Sequence, residues 1–472
     1  MTVPKDNKSV AIIGGGVIGG GWAARFLLNG WDVRVFDPDP QAERKIGAVI
    51  ENARRALPML LDQPLPSEGT LTLCASLEPA AEKAALIVEA VPERVEIKRK
   101  VYSQIEAVNT DGIIASSTSG IMPTDLQAEM DHPGRLIVAH PFNPVYLLPL
   151  VELVAGQNTD LAHIENAKEI FRALGMYPLH CRVEIEGFLS DRLQEALWRE
   201  ALWLLHDDVA TADEIDAAIA YGPGLRWAQM GTLQTFHLAG GEGGMRAMLA
   251  MFGPCLKWPW TKLMDVPDLT EDFVNKVGDQ CDQQAGGLGP RDLEAIRDDN
   301  VVGIIRSLKR ADWGAGSVAR AHDRALRPDY HHAAPLITQD RVVPIDWTDV
   351  NGHMNEGRYG QIFSDAAEEV MRIVGADDDY IAGGMSYFTV ETTVKYLAET
   401  HAGERVVVET RVTEGKGKKL RCLHEMKRAS DGELMATCDQ LMLHVSLETR
   451  RTCEPPQDVT SKVEALAALH AE

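Results

Sequence analysis

Short apolar runs alternate with helical patterns from Ser9 to about Val183. Apolar runs bounded by turn residues are typical of strands that are buried on both faces of a parallel sheet. They predict strands at Val10–Ile13, Val33–Phe36, Leu86–Val88, Ile113–Ala115, Leu136–Val138 and Leu150–Val154. The alternation of these strands with helices predicts an α/β domain over residues 1–184, built on a doubly wound parallel sheet.

The pattern becomes helical over residues 185–312. A helix is predicted from Leu189 to Asp208, because apolar residues recur on one of its faces at Leu193, Leu197, Ala201 and Leu204. Thr211–Glu214 has the sequence of a helix start with a capping side chain. The stretch has no strand pattern, so an all-α second domain is predicted. Residues 313–336 lack sustained periodicity and are interpreted as a linker, with one or two helical turns over Val318–Leu326.

Residues 337–450 predict an α+β domain, in which one helix from Tyr359 to Val374 accompanies several strands. The predicted strands are Arg341–Ile345, Ser386–Thr393, Val394–Leu397, Arg405–Glu414, Lys419–Arg428 and Leu434–Leu447. Residues 451–472 are polar, and we expect a fraying tail with a weak helix at Val463–His470.

A glycine-rich stretch directly follows the first predicted strand. Glycines at positions 14, 16 and 19 form a GxGxxG pattern, a helix follows, and the next apolar run ends in Asp37. This is the fingerprint of Rossmann dinucleotide-binding domains, whose glycines permit close approach to a pyrophosphate. An acid at this position binds a ribose 2′-hydroxyl and would repel a 2′-phosphate, which favours NAD over NADP, while FAD is compatible with the glycines alone. The predicted cofactor-binding residues are Gly14, Gly15, Gly16, Val17, Ile18, Gly19 and Asp37.

The composition of the chain limits which partners the protein can bind and in which cellular compartment we expect it. The formal net charge of −23 argues against a nucleic-acid-binding surface. Seven scattered cysteines without CxxC spacing predict reduced thiols and neither a disulfide framework nor a zinc site, so no metal is expected. The N-terminal sequence predicts no signal peptide, and no apolar run approaches the roughly 20 residues of a membrane span. We therefore expect a cytoplasmic protein that does not bind membranes.

Polar residues follow the predicted strands, where ligands bind in open parallel sheets. His140 and Glu152 flank a short loop, and Ser119 and Asn143 are also near strand ends. A histidine with a carboxylate on its far nitrogen has a fixed tautomer and can take a proton from a hydroxyl group as hydride leaves the same carbon. A single histidine or serine after a strand more often has a structural role than a catalytic one.

Several of these segments together resemble the 3-hydroxyacyl-CoA dehydrogenase family. The matching segments are Gly14–Gly19, Val88–Glu93 with Lys98, Ser117–Ser119, His140–Pro144 with Glu152, and Gly187–Leu193. The resemblance covers residues 8–310, with the same order and spacing throughout. It implies that His140 is the general base and that Glu152 orients it.

The same resemblance assigns four supporting residues. Ser119 and Asn143 would hold the substrate oxygen. Glu93 and Lys98 would line the cofactor, which the family implies is NAD.

Two departures argue against an acyl-CoA substrate. Asp191 stands where acyl-CoA enzymes of this family have Asn, and the glycine-rich segment that closes their dehydrogenase region is missing near Leu308–Val318. Four stretches instead resemble the carnitine dehydrogenase branch: His140–Val154, Trp198–Leu205, Gly224–Met230 and Gly253–Leu263. That resemblance implies NAD-dependent oxidation of L-carnitine to 3-dehydrocarnitine.

A quaternary ammonium group cannot donate a conventional N–H hydrogen bond, so aromatic faces and a carboxylate would hold it. We predict a cage from some of Tyr221, Trp227, Trp258 and Trp260, together with Phe142 or Tyr146. Asp191 would supply the counter-charge, although pairing with a nearby arginine is an equal alternative. Any single tryptophan at helical spacing is more often a residue of the hydrophobic core than part of a binding site.

The C-terminal domain contains a second candidate site. Asp349 precedes Gly352, His353 and Asn355 in a loop, and a helix follows from about Gly357. An acid before a helix can activate water or attack a carbonyl whose oxygen is polarised by N–H groups at the helix start. The same residues also fit an ordinary helix cap.

With Tyr359, one helix and several strands, the loop resembles hot-dog acyl-CoA thioesterases over residues 337–450. That resemblance implies that Asp349 is the catalytic acid, with Glu368 a weaker candidate, and it implies a homodimer. The chain as a whole resembles carnitine dehydrogenases that are fused to such a domain. That resemblance implies that the second activity is the hydrolysis of betainyl-CoA.

Three alternatives remain open from the residues. The dehydrogenase could act on a 3-hydroxyacyl-CoA or a gulonate-type substrate. The C-terminal domain could be a non-catalytic dimerisation or acyl-CoA-binding module. A protein that only binds NAD is disfavoured because His140, Glu152, Ser119 and Asn143 are all present.

Overall fold

The protein is described here from a computed structural model. It covers residues 8–228, 231–240, 244–252, 261, 268, 270–273, 275, 288, 290–326 and 334–471. The chain divides into two units, one of residues 1–56 and 66–322 and one of residues 57–65 and 323–472.

The first unit contains an eight-stranded sheet. Its strands are β1 (Ser9–Ile13), β2 (Asp32–Phe36), β3 (Leu71–Leu73), β4 (Leu86–Glu89), β5 (Ile113–Ser116), β6 (Leu136–Pro141), β7 (Leu150–Ala155) and β8 (Tyr177–Cys181). They lie in the order β3-β2-β1-β4-β5-β6-β7-β8, and all neighbours are parallel except β6 and β7. The strand order reverses between β1 and β4, which is where doubly wound sheets bind nucleotides. The predicted α/β fold is confirmed.

Burial explains which strands the sequence predicted. Every residue of β1, β4, β5 and β6 is buried, so each is a nearly continuous apolar run. All three residues of β3 are exposed, and β8 is only partly buried. Those two strands lack the apolar signal and were not predicted.

Helices connect these strands and cover the sheet. They are α1 (Val17–Leu28), α2 (Ala42–Leu60), α3 (Leu77–Ala81), α4 (Val95–Glu106), α5 (Pro123–Gln127) and α6 (Leu161–Ala173). A short 3₁₀ helix, Pro133–Arg135, precedes β6.

The region after β8 is helical, as predicted: no strand occurs among the described residues between 182 and 335. Its helices are α7 (Ser190–His206), α8 (Ala212–Ala220), α9 (Gly224–Trp227), α10 (Thr232–Ala239), α11 (Gly244–Phe252), α12 (Pro290–Arg310) and α13 (Ala315–Leu326). Thr211 forms the predicted cap of α8, where its hydroxyl accepts from the Glu214 N–H and Glu214 accepts from the Thr211 N–H.

The second unit contains an antiparallel sheet and one long helix. Its strands are β9 (Leu336–Val342), β10 (Met385–Tyr396), β11 (Arg405–Lys416), β12 (Lys419–Arg428), β13 (Leu434–Ser446) and β14 (Arg451–Thr452). The order is β10-β13-β12-β11-β9, and β14 pairs with β13. The helices are α14 (Glu356–Ile373), α15 (Asp378–Ala382) and α16 (Gln457–His470), and a 3₁₀ turn covers Ile345–Trp347.

The long helix α14 packs against this sheet. Ile362, Phe363, Ala366 and Val370 on its apolar face are buried with strand residues such as Val406 and Leu420. A long helix packed against an antiparallel sheet is the predicted hot-dog arrangement.

Two predictions about strands of the second unit differ from the structure. The two predicted strands Ser386–Thr393 and Val394–Leu397 are one strand, β10, with an irregularity between Thr389 and Glu391 that interrupts the alternation. The strand predicted at Arg341–Ile345 lies earlier, as β9.

The predicted linker and tail are also more structured than expected. The linker, residues 313–336, contains the twelve-residue helix α13, whose His322 is buried with Nε2 3.1 Å from Oδ1 of Asn29. The tail contains α16, which buries Val459, Val463 and Leu466 in the core of the second unit. Three apolar side chains at helical spacing outweigh the polar composition of that segment.

Within the part of the chain that the structure describes, no helix combines the length and the apolar character needed to cross a membrane.

Candidate active sites

The glycine-rich turn lies between β1 and α1. Gly14 has φ +101°, and a Cβ on it would lie 2.5 Å from the carbonyl oxygen of Ala90; a Cβ on Gly19 would lie 1.8 Å from the carbonyl oxygen of Gly14. These two glycines are needed for the turn itself. A Cβ at Gly16 would meet nothing within 4 Å, and both Gly16 and Val17 are exposed. The backbone at the start of α1 is therefore accessible to a ligand.

The start of α1 suits an anion. Gly16 precedes the helix, no side chain caps it, and its first turn has no acidic residue. The free N–H groups of Val17 and Ile18 and the helix dipole can therefore receive a pyrophosphate. Asp37 lies beside this turn and accepts hydrogen bonds from the Gly15 N–H at 2.5 Å and the Asp39 N–H at 2.7 Å. The predicted cofactor residues fit a dinucleotide.

The sheet register places His140 opposite Glu152. The two residues are direct partners in the antiparallel pair β6·β7, and His140 Nδ1 lies 3.1 Å from Glu152 Oε2. Both side chains are buried. A carboxylate can only accept, so Nδ1 carries the hydrogen and Nε2 keeps the lone pair.

Glu152 is held from a second direction by the start of α7. Its Oε1 accepts from the N–H groups of Leu189 and Ser190 at 3.2 and 3.0 Å and from the Ser190 hydroxyl at 3.1 Å. Burial alone would raise the pKa of Glu152, but the hydrogen bonds from His140 and Ser190 outweigh burial and lower it. Glu152 is therefore a carboxylate at neutral pH.

Asp191 lies on the other side of the histidine ring, with Oδ2 3.5 Å from Nε2 of His140. Burial raises the pKa of Asp191, the charge of His140 opposes this effect, and the charge of Glu152 adds to it. Among the described residues, the group within ion-pair distance of Asp191 is the ring of His140, which is charged only when protonated, and not an arginine. The sequence offered Asp191 as a counter-charge for the substrate or as the partner of an arginine, whereas its position beside the reacting nitrogen of His140 comes from the structure.

Ser119 and Asn143 are exposed near this histidine's strand end, on the segments after β5 and β6. The loop of Ser119 is fixed by Glu93, which accepts from the Ser119 N–H at 3.0 Å and from the Thr118 hydroxyl. Glu93 thus holds the loop of a substrate-binding candidate, in addition to any contact with the cofactor.

Lys98 is buried in a polar network that the sequence did not predict. Its Nζ lies 2.8 Å from Glu89 Oε1 and 3.2 Å from Glu93 Oε2. Glu89 also accepts from Tyr102 at 2.7 Å and Ser116 at 2.6 Å. Lys98 therefore bridges two carboxylates and orients Glu93. The signal for Glu89 was its position as the last residue of a buried strand.

The candidates for an aromatic cage have different environments. Phe142 packs edge-on against His140, with 4.8 Å between ring centroids. Tyr221 is 86% exposed, and Trp227 is half-buried in α9. Tyr146 is buried, and its hydroxyl donates to Asp298 at 2.6 Å, so we assign it a structural role instead of a place in the cage. Trp258 and Trp260 lie outside the described residues.

The loop before α14 forms the second candidate site. Asp349 accepts from the Asn351 N–H at 2.8 Å, and its own N–H donates to the His353 carbonyl at 2.9 Å. Asn355 caps α14 through the Gly357 N–H at 2.9 Å. The helix cap is thus made by Asn355, which leaves Asp349 available for chemistry.

A cavity of about 370 Å³ opens beside Asp349. It is lined by Asp349, His353, Met354, Glu356, Tyr359, Tyr396, Leu397, Ala398 and Glu399. Tyr359 is buried, and its hydroxyl donates a hydrogen bond to the Thr400 hydroxyl at 3.1 Å. The ring of Tyr359 packs against that of Tyr396. Glu368 is exposed on α14 and does not line the cavity.

Family models match most of the chain. Residues 9–184 match the NAD binding domain of 3-hydroxyacyl-CoA dehydrogenase, and residues 187–271 match the C-terminal domain of that family. Residues 343–463 match the thioesterase-like superfamily. The first unit is therefore a 3-hydroxyacyl-CoA dehydrogenase fold with NAD as its cofactor.

Known proteins resemble the whole chain or its first unit. A protein of Ruegeria pomeroyi named L-carnitine dehydrogenase/betainyl-CoA thioesterase is 54% identical over 98% of this chain and 96% of its own length. An L-carnitine dehydrogenase of Mesorhizobium japonicum is 53% identical over 68% of this chain and 89% of its own length.

A solved structure agrees with the fold of the first unit. It is the NAD⁺-dependent 5-formyl-3-hydroxy-2-methylpyridine 4-carboxylic acid 5-dehydrogenase, with a TM-score of 0.55 and 27% identity, and it covers 64% of this chain and 98% of that one. The chain itself belongs to the L-carnitine dehydrogenase/betainyl-CoA thioesterase family, in which a 3-hydroxyacyl-CoA dehydrogenase unit and a thioesterase-like unit share one polypeptide.

Proposed function

We propose that the first unit oxidises the 3-hydroxyl group of L-carnitine to give 3-dehydrocarnitine with NAD, and that the second unit hydrolyses betainyl-CoA to glycine betaine and CoA. The observation that carries the first activity is the 3.1 Å contact between His140 Nδ1 and Glu152 in a buried site. The names of the full-length relatives support the two substrates.

In the proposed oxidation, the histidine removes the hydroxyl proton. The lone pair of His140 Nε2 accepts this proton, and Glu152 stabilises the imidazolium that forms. The glycine turn and Asp37 would hold NAD, which would supply the acceptor for the hydride of the carbon that bears the hydroxyl group. Ser119 and Asn143 hold the substrate oxygen by hydrogen bonds as it becomes a carbonyl.

The trimethylammonium group of the substrate needs a negative charge and apolar contacts. Asp191 supplies the charge next to the reacting nitrogen, and Phe142 supplies an aromatic face against His140. Trp227, Tyr221, Trp258 and Trp260 remain candidates for the other faces. A substrate of similar size without a cationic group would give the partly buried carboxylate of Asp191 no cation to bind, so we expect such a substrate to bind more weakly.

In the proposed hydrolysis, Asp349 acts at the thioester carbonyl. In one route it takes a proton from water as the water attacks the carbonyl carbon, and the C–S bond then breaks to release CoA, whose sulfur receives that proton. In the other route Asp349 attacks the carbonyl carbon itself, CoA leaves as the thiolate, and water then hydrolyses the mixed anhydride to release the acid. N–H groups at the start of α14 polarise the carbonyl oxygen. The cavity beside Asp349 is open enough for the thioester end of an acyl-CoA.

The proposal extends to the assembly and the compartment. We propose a homodimer in the cytosol, without membrane or nucleic-acid partners. Free cysteines in the described part of the chain, Cys74, Cys181, Cys422, Cys438 and Cys453, suit a reducing compartment.

One experiment tests both activities in the full chain. Purified protein is assayed for NADH formation with L-carnitine, 3-hydroxybutyryl-CoA and L-gulonate, and for CoA release from betainyl-CoA. We expect L-carnitine to be the preferred alcohol. His140→Gln should lower NADH formation by about 10²–10⁴-fold, because a general base is lost. Asp349→Asn should abolish CoA release.

The two variants control each other, because each changes only one unit. His140→Gln should retain CoA release, and Asp349→Asn should retain NADH formation, which shows that both are folded. A preference for 3-hydroxybutyryl-CoA or L-gulonate would replace the proposed substrate. If Glu368→Gln loses CoA release while Asp349→Asn keeps full activity, Glu368 and not Asp349 is the catalytic acid of the second unit.

A further inference from the structure

Three side chains of the kind that bind metal ions lie together at the cavity of the second unit. They are His353, Glu399 and His401, and one ligand atom of each lies within 4.8 Å of the others. His353 Nε2 is 3.3 Å from Glu399 Oε2, and the two imidazole rings are 4.9 Å apart. Two of the three, His353 and Glu399, line the cavity that contains Asp349.

The backbone holds these side chains in place. His353 precedes α14, whereas Glu399 and His401 follow β10, and the two segments pair through an antiparallel bridge between His353 and His401. The Met354 N–H also donates to the Thr400 carbonyl at 2.7 Å. The cluster therefore results from fixed main-chain pairing and not from chance contacts of long side chains.

The tautomer of His401 suits metal binding. Its Nδ1 lies 3.2 Å from the Gly352 carbonyl oxygen, which can only accept, so Nδ1 carries the hydrogen. Nε2 then keeps its lone pair. Histidines that bind metals are oriented in this way, by donating their other N–H group to a carbonyl or carboxylate.

The donor set and its spacing fit a zinc-like ion. Bonds of about 2.0–2.2 Å in a tetrahedron place neighbouring ligand atoms roughly 3.3–3.5 Å apart. The separation of His353 Nε2 and Glu399 Oε2 already has this value. Glu399 is 70% exposed and can move the short distance that the third contact requires. Two histidines and a carboxylate leave one position for water, as in zinc sites that are open to solvent.

We propose that His353, Glu399 and His401 form a binding site for one divalent transition-metal ion of the zinc class, at the edge of the cavity that contains Asp349. The inference concerns binding and does not depend on the proposed thioesterase activity. The sequence predicted no metal, because these residues come from two distant segments and have no ligand spacing along the chain.

The test is metal titration of the full chain after removal of bound metal with a chelator. Zn²⁺ binding is followed by calorimetry and Co²⁺ binding by visible absorption, which reports low coordination number. We expect one high-affinity site per chain. His401→Asn and Glu399→Gln should each weaken Zn²⁺ binding at least tenfold and remove the Co²⁺ absorption bands.

His132→Asn is the matched control, because His132 is an exposed histidine of the other unit. It should bind both ions as the unaltered protein does. The proposal is overturned if the unaltered chain binds no Zn²⁺ at this stoichiometry, or if His401→Asn and Glu399→Gln bind as tightly as the control. Glu399 is exposed, so Glu399→Gln should fold even if a histidine variant does not, and circular dichroism verifies this.

Discussion

A single residue, Asp191, places a negative charge beside the proposed catalytic histidine of the first unit. Its carboxylate lies 3.5 Å from the nitrogen of His140 that the proposed reaction uses. Burial raises the pKa of Asp191. The charge of His140 lowers this pKa, and the charge of Glu152 raises it further. This carboxylate therefore becomes protonated at a higher pH than an ordinary aspartate, and its attraction for a cation is lost over that range.

Replacing Asp191 by Asn should raise KM for L-carnitine about tenfold or more, which corresponds to about 1.4 kcal/mol, with a smaller change in kcat. In the unaltered protein, KM should rise as pH falls through the raised pKa of Asp191. In Asp191→Asn, KM should be independent of pH over that range. Steady-state kinetics at a series of pH values measure both effects.

A parallel measurement with 3-hydroxybutyrate, which lacks the trimethylammonium group, serves as the control. Its KM should not rise in Asp191→Asn, because no cation is bound. An equal increase for both substrates would show that Asp191 acts through His140 and not on the cation.

At the scale of elements, one carboxylate joins two strands and a helix. Glu152 faces His140 across β6·β7 and accepts hydrogen bonds from the first residues of α7. The strand register thus sets the catalytic pair, and the same side chain fixes where the helical domain begins. A change at this residue should therefore affect both activity and stability.

We expect Glu152→Gln to lower kcat with L-carnitine by about 10²–10⁴-fold, because the amide N–H₂ cannot accept from His140 Nδ1 and the histidine loses its tautomer. The variant should also be less stable by about 1.5–3 kcal/mol, the range for hydrogen bonds to a charged group. Urea unfolding and turnover measurements test the two expectations.

The pH dependence of that stability difference has a definite sign. The pKa of Glu152 is lowered in the folded protein, because the hydrogen bonds from His140 and Ser190 outweigh burial. Its stabilising contribution should be present above the unfolded pKa of about 4.3 and be lost as pH falls through the folded pKa. Ser190→Ala is the control: it removes one hydroxyl contact, should cost about 1 kcal/mol and should retain turnover. A stable, active Glu152→Gln protein would contradict the assignment.

At the scale of the whole molecule, apolar surface remains exposed in both units. On α7, Leu193 is 66% and Trp198 59% exposed. On β10, an edge strand of its sheet, Val390 is 55% exposed, and Phe388 and Tyr396 are exposed as well. Unpaired edge strands and apolar helix faces are typical of surfaces that another chain covers.

We therefore predict a dimer in solution, measured by size-exclusion chromatography with light scattering. A Val390→Lys change on the edge of β10 or a Leu193→Glu change on α7 should shift the protein toward monomer, and the variant with the larger effect identifies the main interface. Glu448→Lys, which alters an exposed charge at a turn, should leave the dimer intact. A monomeric unaltered protein at micromolar concentration would contradict this prediction.

Features that depend on the local pattern of residues could be predicted without the structure. Strands such as β1 and β4 were predictable because burial on both faces requires continuous apolar residues, whereas the exposed β3 was not. The glycine turn was predictable because Gly14 has a positive φ, Gly19 has no room for a Cβ, and both belong to one short sequence pattern after a strand. His140 and Glu152 were identified because they lie close in sequence and the family motif spans them.

Contacts between residues far apart in the chain became known only from the folded protein. It placed Asp191 beside His140, assigned Tyr146 to Asp298, and brought His353 together with Glu399 and His401. It also showed that the tail is a packed helix. Such contacts depend on strand register and on helix packing between segments far apart in the chain, and neither is contained in the local alternation of apolar and polar residues.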